Sequence, residues 1–215
     1  MATELSFSDQ QKAQELLEAI QFFSQKGWSP ATSTNYSLRL ETPGHFLISR
    51  SGVDKSRFQA SDLIVIDQGG VVQSKSAGPG IKSSAETGIH IAIYQRFAEV
   101  GCVLHTHSVL GTWLSQKHVK TARELKFKDW EIQKGLAGIE THLSTVLLPL
   151  VNNYQDMDLI LTEMDSHWSG NPHGFLIAGH GLYTWGKTVV EAKRHIETFE
   201  FLFELQRLGE LNDRT

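Results

Sequence analysis

Ser37-Leu38-Arg39-Leu40, Phe46-Leu47-Ile48-Ser49-Arg50-Ser51, Leu63-Ile64-Val65-Ile66-Asp67 and Val71-Val72-Gln73 are short β-rich runs within Tyr36 to Gln73, broken by Thr42-Pro43-Gly44 and Gln68-Gly69-Gly70. Proline and paired glycines between such runs are hairpin signals, so the section predicts antiparallel strands. On its N-terminal side, Ala13, Leu16, Leu17, Ile20 and Phe23 fall at helical spacing behind a candidate cap, Ser8, and ahead of a natural stop, Gly27. On its C-terminal side, residues 74 to 84 read as a loop and Ala85 to Val100 as a helix. Apolar runs at Cys102 to Thr106, Val146 to Val151 and Phe175 to Ala178 follow as candidate strands, with helices between them and a last helix from Thr188 to about Leu208. Hairpins without a steady strand-helix alternation predict an α/β fold in which a mainly antiparallel sheet is layered with helices.

The 215 residues are 40% apolar and 20% charged, which suits one sizeable core, so a single domain over residues 1–215 is expected. The net charge of -4 arises from interspersed acids and bases. Without a basic stripe or polybasic block, neither nucleic acid nor a membrane surface is an expected partner. The polar start, Met1 to Asp9, lacks the charged and apolar regions of a leader, and no apolar run reaches the length of a membrane span; a cytoplasmic protein is expected. The single cysteine, Cys102, sits in an apolar run and reads as a small hydrophobe.

Ten histidines are available for chemistry. Residues two apart on a strand project to one face, so His105 and His107 at the end of the Val103-Leu104 run would aim both imidazoles at one point. The run Phe175 to Ala178 ends in Gly179-His180-Gly181, where glycines permit a tight turn that leaves His180 projecting. Three imidazole nitrogens without a cysteine set suit a catalytic Zn2+, one per subunit, with a coordination position left open. Cobalt, nickel or iron would also accept such ligands. His45, His90, His118, His142, His167, His173 and His195 show no such convergence and read as surface or hydrogen-bonded core residues; His195, beside Lys193, Arg194 and Glu197, reads as part of a solvated helix face.

Six segments together resemble the class II aldolase and adducin-head family: Ala31-Thr32-Ser33-Thr34-Asn35-Tyr36-Ser37, Ile48-Ser49-Arg50-Ser51-Gly52-Val53, Lys82-Ser83-Ser84-Ala85-Glu86-Thr87, His105-Thr106-His107-Ser108, Trp130-Glu131-Ile132-Gln133-Lys134-Gly135 and Gly179-His180-Gly181-Leu182-Tyr183-Thr184-Trp185-Gly186. Within that family the chain is most similar to the dehydratases that act on methylthioribulose 1-phosphate in methionine salvage. The resemblance implies a three-layer α/β/α arrangement around a largely antiparallel sheet, a homotetramer with sites near subunit interfaces, and zinc on His105, His107 and His180. It also implies a phosphate pocket from Thr32, Asn35, Ser51, Gly52 and Ser84; small hydroxyls, an amide and exposed backbone N–H groups can surround a dianion. Two positions depart from the pattern: Thr34 stands where relatives usually carry glycine, and Ala85 where aldolases carry a second serine.

The implied reaction removes the C3 proton and the C4 hydroxyl of a small-molecule 2-keto sugar phosphate. Taking a proton next to a carbonyl builds an enolate, which requires a positive centre and a proton carrier. The dehydratase segment assigns that carrier to Glu131, which would take the C3 proton and return it to the departing C4 oxygen. Glu86 competes, because aldolases use the matching glutamate as acid/base; it would also suit the start of a helix for dipole reasons alone. A sugar-phosphate aldolase or 4-epimerase of the fuculose or ribulose phosphate type would share the metal and the enolate, and a non-enzymatic adducin-like module would share only the fold. Trp113, Phe127, Trp130 and Tyr183 are candidates for an apolar wall around the methylthio group.

Overall fold

The computed structural model describes residues 5–73, 80–168 and 172–212; most of the expected 74–84 loop and the first four residues of the polar start lie outside them. The chain resolves into two compact units, one built from residues up to Thr106 with Trp185–Ala192, the other from His107–Thr184 with residues from Lys193 onward.

The first unit opens with helix α1 (Phe7–Gln25), which buries Ala13, Leu16, Ala19, Ile20 and Phe23 at helical spacing. Its cap is Ser6 and not Ser8: the Ser6 hydroxyl accepts from the Asp9 N–H at 3.1 Å, the reach from the position before the first turn. Strands β1 (Asn35–Arg39), β2 (His45–Ser49) and β3 (Leu63–Asp67) form the expected antiparallel section, and β4 (Cys102–Thr106) pairs with the other edge of β1, giving the order β3-β2-β1-β4. The fourth run, Val71 to Gln73, makes one bridge, Ile66 to Val72, and no strand. The Asp67 carboxylate binds the Gly69 and Val71 N–H groups at 2.8 and 3.0 Å, and so takes over groups a ladder would use. Helix α2 is shorter than expected (Thr87–Arg96); its last turn is held by Arg39, whose guanidinium donates to the Tyr94, Phe97 and Val100 carbonyls.

In the second unit, which holds β8 as far as Thr184, the order is β8-β7-β6-β5, from β5 (Glu124–Phe127), β6 (Val146–Val151), β7 (Gly174–Ile177) and β8 (Gly181–Gly186). Among the described residues of each unit only the β6–β7 pairing is parallel, so the mainly antiparallel expectation holds. Strands β5 and β8 have no counterpart among the sequence expectations. Four residues, Glu124-Leu125-Lys126-Phe127, are too short for a periodic signal, and β8 follows β7 after a three-residue turn and begins on a glycine, which strands disfavour. Helices α3 (Val109–His118), α4 (Met157–Asp165) and α5 (Val189–Asn212) complete the chain. No helix among the described residues is long and apolar enough to cross a membrane.

Candidate active site

Register places the first parts of the site. In the β1–β4 ladder Asn35 lies opposite His105, the next-to-last residue of β4. His105 is fully buried, and His107 follows two residues on, just before Ser108 caps α3 by accepting from the Gly111 N–H. His180 comes from the β7–β8 turn. There Gly179 adopts φ +62°, the left-handed region that glycine enters without a Cβ penalty, and the His180 N–H donates to the Ile177 carbonyl at 3.0 Å. The Thr112 hydroxyl of α3 fixes the turn from the other side by donating to the His180 carbonyl at 2.8 Å. The His107 and His180 rings meet edge to face with centroids 4.6 Å apart.

The three histidines expected as ligands do come together: one nitrogen from each lies within 4.8 Å of the others. Three neutral imidazole nitrogens at that spacing form a donor set that fits a divalent ion with an open position, so the group could hold a metal.

Glu86 occupies the N-cap position of α2 but makes no side-chain cap bond. Its carboxylate turns instead to the site, with Oε2 3.6 Å from His105 Nε2 and 2.6 Å from Asn35 Nδ2. The helix-dipole reading of this residue therefore accounts for its place and not for its direction. Asn35 Nδ2 also donates to Ser84 Oγ at 3.3 Å, and Ser84 Oγ accepts from the Glu86 N–H at 3.2 Å.

The other expected anion ligands are spread over exposed turns of the same unit. Thr32 is exposed in the turn before β1; Ser51 and Gly52 form an exposed turn tied to the next segment by the Ser51 N–H donating to the Lys82 carbonyl at 3.1 Å. Thr34, the departure from glycine, has φ +72°, which explains why glycine suits that position: a β-branched side chain is strained there.

Glu131 is placed differently. It begins a short 3-10 helix (Glu131–Gly135), its side chain is 71% exposed, and its carboxylate pairs with Lys134 at 2.7 Å and His142 at 3.5 Å. The Lys134 bond holds its carboxyl below the usual carboxylate range. It is not part of the histidine group. Of the apolar-wall candidates, Phe127 and Tyr183 are core, while Trp113 and Trp130 stand partly exposed.

Sequence reasoning missed the residues behind the site. His90, Ser37 and Tyr94 are buried and hydrogen-bonded in series. A signal existed: Glu86, His90 and Tyr94 recur every four residues and so share a face of α2. His195, expected on a solvated face, is buried, with Nε2 accepting from the Ala137 N–H at 3.0 Å; long α5 runs through packed structure, so its charged neighbours do not report its surroundings.

A family model described as the class II aldolase and adducin N-terminal domain matches residues 14–207. The chain belongs to the class II aldolase and adducin family. A Marinobacter nauticus protein named methylthioribulose-1-phosphate dehydratase is 44% identical over 197 residues, covering 90% of this chain and 91% of the relative. A Picosynechococcus protein of the same name is 44% identical over 204 residues, covering 94% of each. Among solved structures, the L-fuculose-1-phosphate aldolase of Thermus thermophilus matches with a TM-score of 0.73 and 21% identity, over 95% of this chain and 98% of the aldolase, a likeness of fold. The class II aldolase-like α/β fold expected from the six segments is thus the fold of the chain.

Proposed function

We propose that the chain is a zinc-dependent hydro-lyase that converts 5-methylthioribulose 1-phosphate to 2,3-diketo-5-methylthiopentyl 1-phosphate in methionine salvage. The observation that carries the chemistry is the convergence of His105, His107 and His180 with a carboxylate, Glu86, 3.6 Å from one of them. The substrate follows from relatives of that name that match nearly end to end. A family model spanning residues 14–207 supports one catalytic domain. A cytoplasmic homotetramer is part of the same reading.

Zinc on the three histidines would supply Lewis-acid stabilisation of the charge that develops beside the C2 carbonyl when the C3 proton leaves. The protein supplies the rest. A carboxylate takes the C3 proton and, as a carboxylic acid, protonates the departing C4 oxygen, so one group reaching both atoms serves both steps. Glu86 is favoured for this by its place at the histidines. Glu131 is favoured by the resemblance, and its exposed position suits a tetramer in which it enters the site of a neighbouring copy. Thr32, Ser51, Gly52 and Ser84 are proposed to hold the phosphate. Asn35, whose amide N–H groups are engaged by Glu86 and Ser84, contributes by holding the Ser84 hydroxyl.

The test is to incubate purified, zinc-loaded protein with methylthioribulose 1-phosphate and, separately, with fuculose and ribulose phosphates, following diketone and aldehyde. Diketone from the first substrate alone is the expected result. Aldehyde without diketone would make the chain an aldolase.

A further inference from the structure

Behind Glu86 and Asn35 runs a line of buried polar side chains, Ser37, His90 and Tyr94, to which the proposed reaction gives no part. Asn35 Nδ2 donates to Glu86 Oε2, and Asn35 Oδ1 is hydrogen-bonded to His90 Nε2. His90 Nδ1 meets Ser37 Oγ at 2.7 Å, and Ser37 Oγ meets the Tyr94 hydroxyl at 2.8 Å. Asn35, Ser37, His90 and Tyr94 are each no more than 3% exposed, so water does not compete for these bonds.

Only one set of donor roles closes this line. An ionised carboxylate is acceptor-only, so Asn35 must turn its N–H to Glu86 and its carbonyl to His90. His90 must then carry its proton on Nε2, leaving Nδ1 to accept from the Ser37 hydroxyl, which in turn accepts from Tyr94. Burial pushes the His90 imidazole down to about 4, consistent with the neutral ring that this direction needs. Reversing the Asn35 amide would set its carbonyl oxygen against the Glu86 carboxylate and its N–H against the His90 N–H.

We infer that His90 is a positioning residue: as the Nε2–H tautomer it locks the Asn35 amide, whose N–H then holds the Glu86 carboxylate beside His105. Its effect on turnover rests on the proposed dehydratase reading; its tautomer does not.

Two measurements test it. The first uses metal-free protein labelled with 15N-histidine, with His90 assigned by the loss of its signals in His90→Gln. The neutral Nε2–H form at pH 7 is expected; an Nδ1–H form or an imidazolium would overturn the inference. The second follows diketone formation by zinc-loaded protein carrying His90→Leu or His90→Gln, alone and combined with Glu86→Gln. His90→Leu should lower kcat roughly 30-fold, the effect of releasing one buried hydrogen-bonded group, with KM changed less than about twofold. His90→Gln, whose amide can still donate to Asn35, should recover most of that loss. In the Glu86→Gln background His90→Leu should lower kcat by less than about twofold, because residues acting as one unit are not additive. Multiplying losses, no recovery by glutamine, or a fully active Glu86→Gln protein would each refute the positioning role. If His90→Leu does not fold, Ser37→Ala carries the same cycle from the far side of the ring. A wild-type protein that makes no diketone would refute the proposed function, and the tautomer measurement would still decide this inference.

Discussion

Replacing Asn35 by aspartate changes one N–H donor into an oxygen and hardly changes shape, which makes Asn35→Asp a sharp probe of the contact with Glu86. With 2.6 Å between the two atoms, two ionised carboxylates at an effective dielectric near 20 would repel by about 332/(20 × 2.6), or ~6 kcal/mol. Taking up one proton at pH 7 by a group that ordinarily titrates near pH 4 costs about 4 kcal/mol, so the folded variant takes the proton. Whether the proton rests on the carboxylate pair or on His90, the native state then binds one proton more than the unfolded chain. Native affinity for the proton is raised, so the stability it supports is present at low pH and is lost as pH rises, by about 1.4 kcal/mol per unit. Asn35→Asp should therefore be destabilised relative to wild type by about 4 kcal/mol at pH 7 and by only ~1.5 kcal/mol at pH 5. Urea unfolding of chelator-treated wild type and variant at the two pH values measures this. A variant within about 1 kcal/mol of wild type at pH 7, or a difference that does not change with pH, would show that Asn35 does not face an ionised Glu86.

Further outcomes follow from other sites. A methyl group added at Gly135 would overlap the Thr198 hydroxyl, so Gly135→Ala should lose about 2 kcal/mol of stability and lower Tm, and adding Thr198→Ala should restore most of it. Burial pushes the Glu200 carboxyl up to about 8, so the native state keeps a proton that the unfolded chain releases above its ordinary range. Wild-type stability from this group is lost as pH rises toward 8; Glu200→Gln should gain up to about 3 kcal/mol at pH 8 and little at pH 5, read from urea midpoints. His107→Ala should bring bound zinc to near zero, whereas Glu131→Gln should leave it near one per subunit, both by metal analysis after gel filtration. Loss of turnover in Glu131→Gln with Glu86→Gln still active would give the proton transfers to Glu131; the opposite pair would give them to Glu86.

The sequence by itself determined the antiparallel section, the strands Cys102–Thr106 and Val146–Val151, and the shared direction of His105 and His107, because each depends on spacing within a few residues; that His180 joins the pair is decided by the fold. Strand periodicity and glycine turns are local properties, and His105 and His107 are tied by a single intervening residue. The resemblance carried the family in the same way, through ordered short segments. The tertiary structure decided what local patterns leave open. Glu86 and Glu131 each sit at a helix start with polar neighbours, yet the first turns to the histidines through Asn35 and the second faces outward on Lys134 and His142. His90, read as either surface or hydrogen-bonded core, and His195, read as part of a solvated face, are both buried because α2 and α5 are packed where they stand. Asn35 meets Glu86 across 51 residues and His90 across 55, distances that only strand register and helix packing close. A side chain's direction is set by those long-range contacts, and with it which carboxylate stands at the histidines.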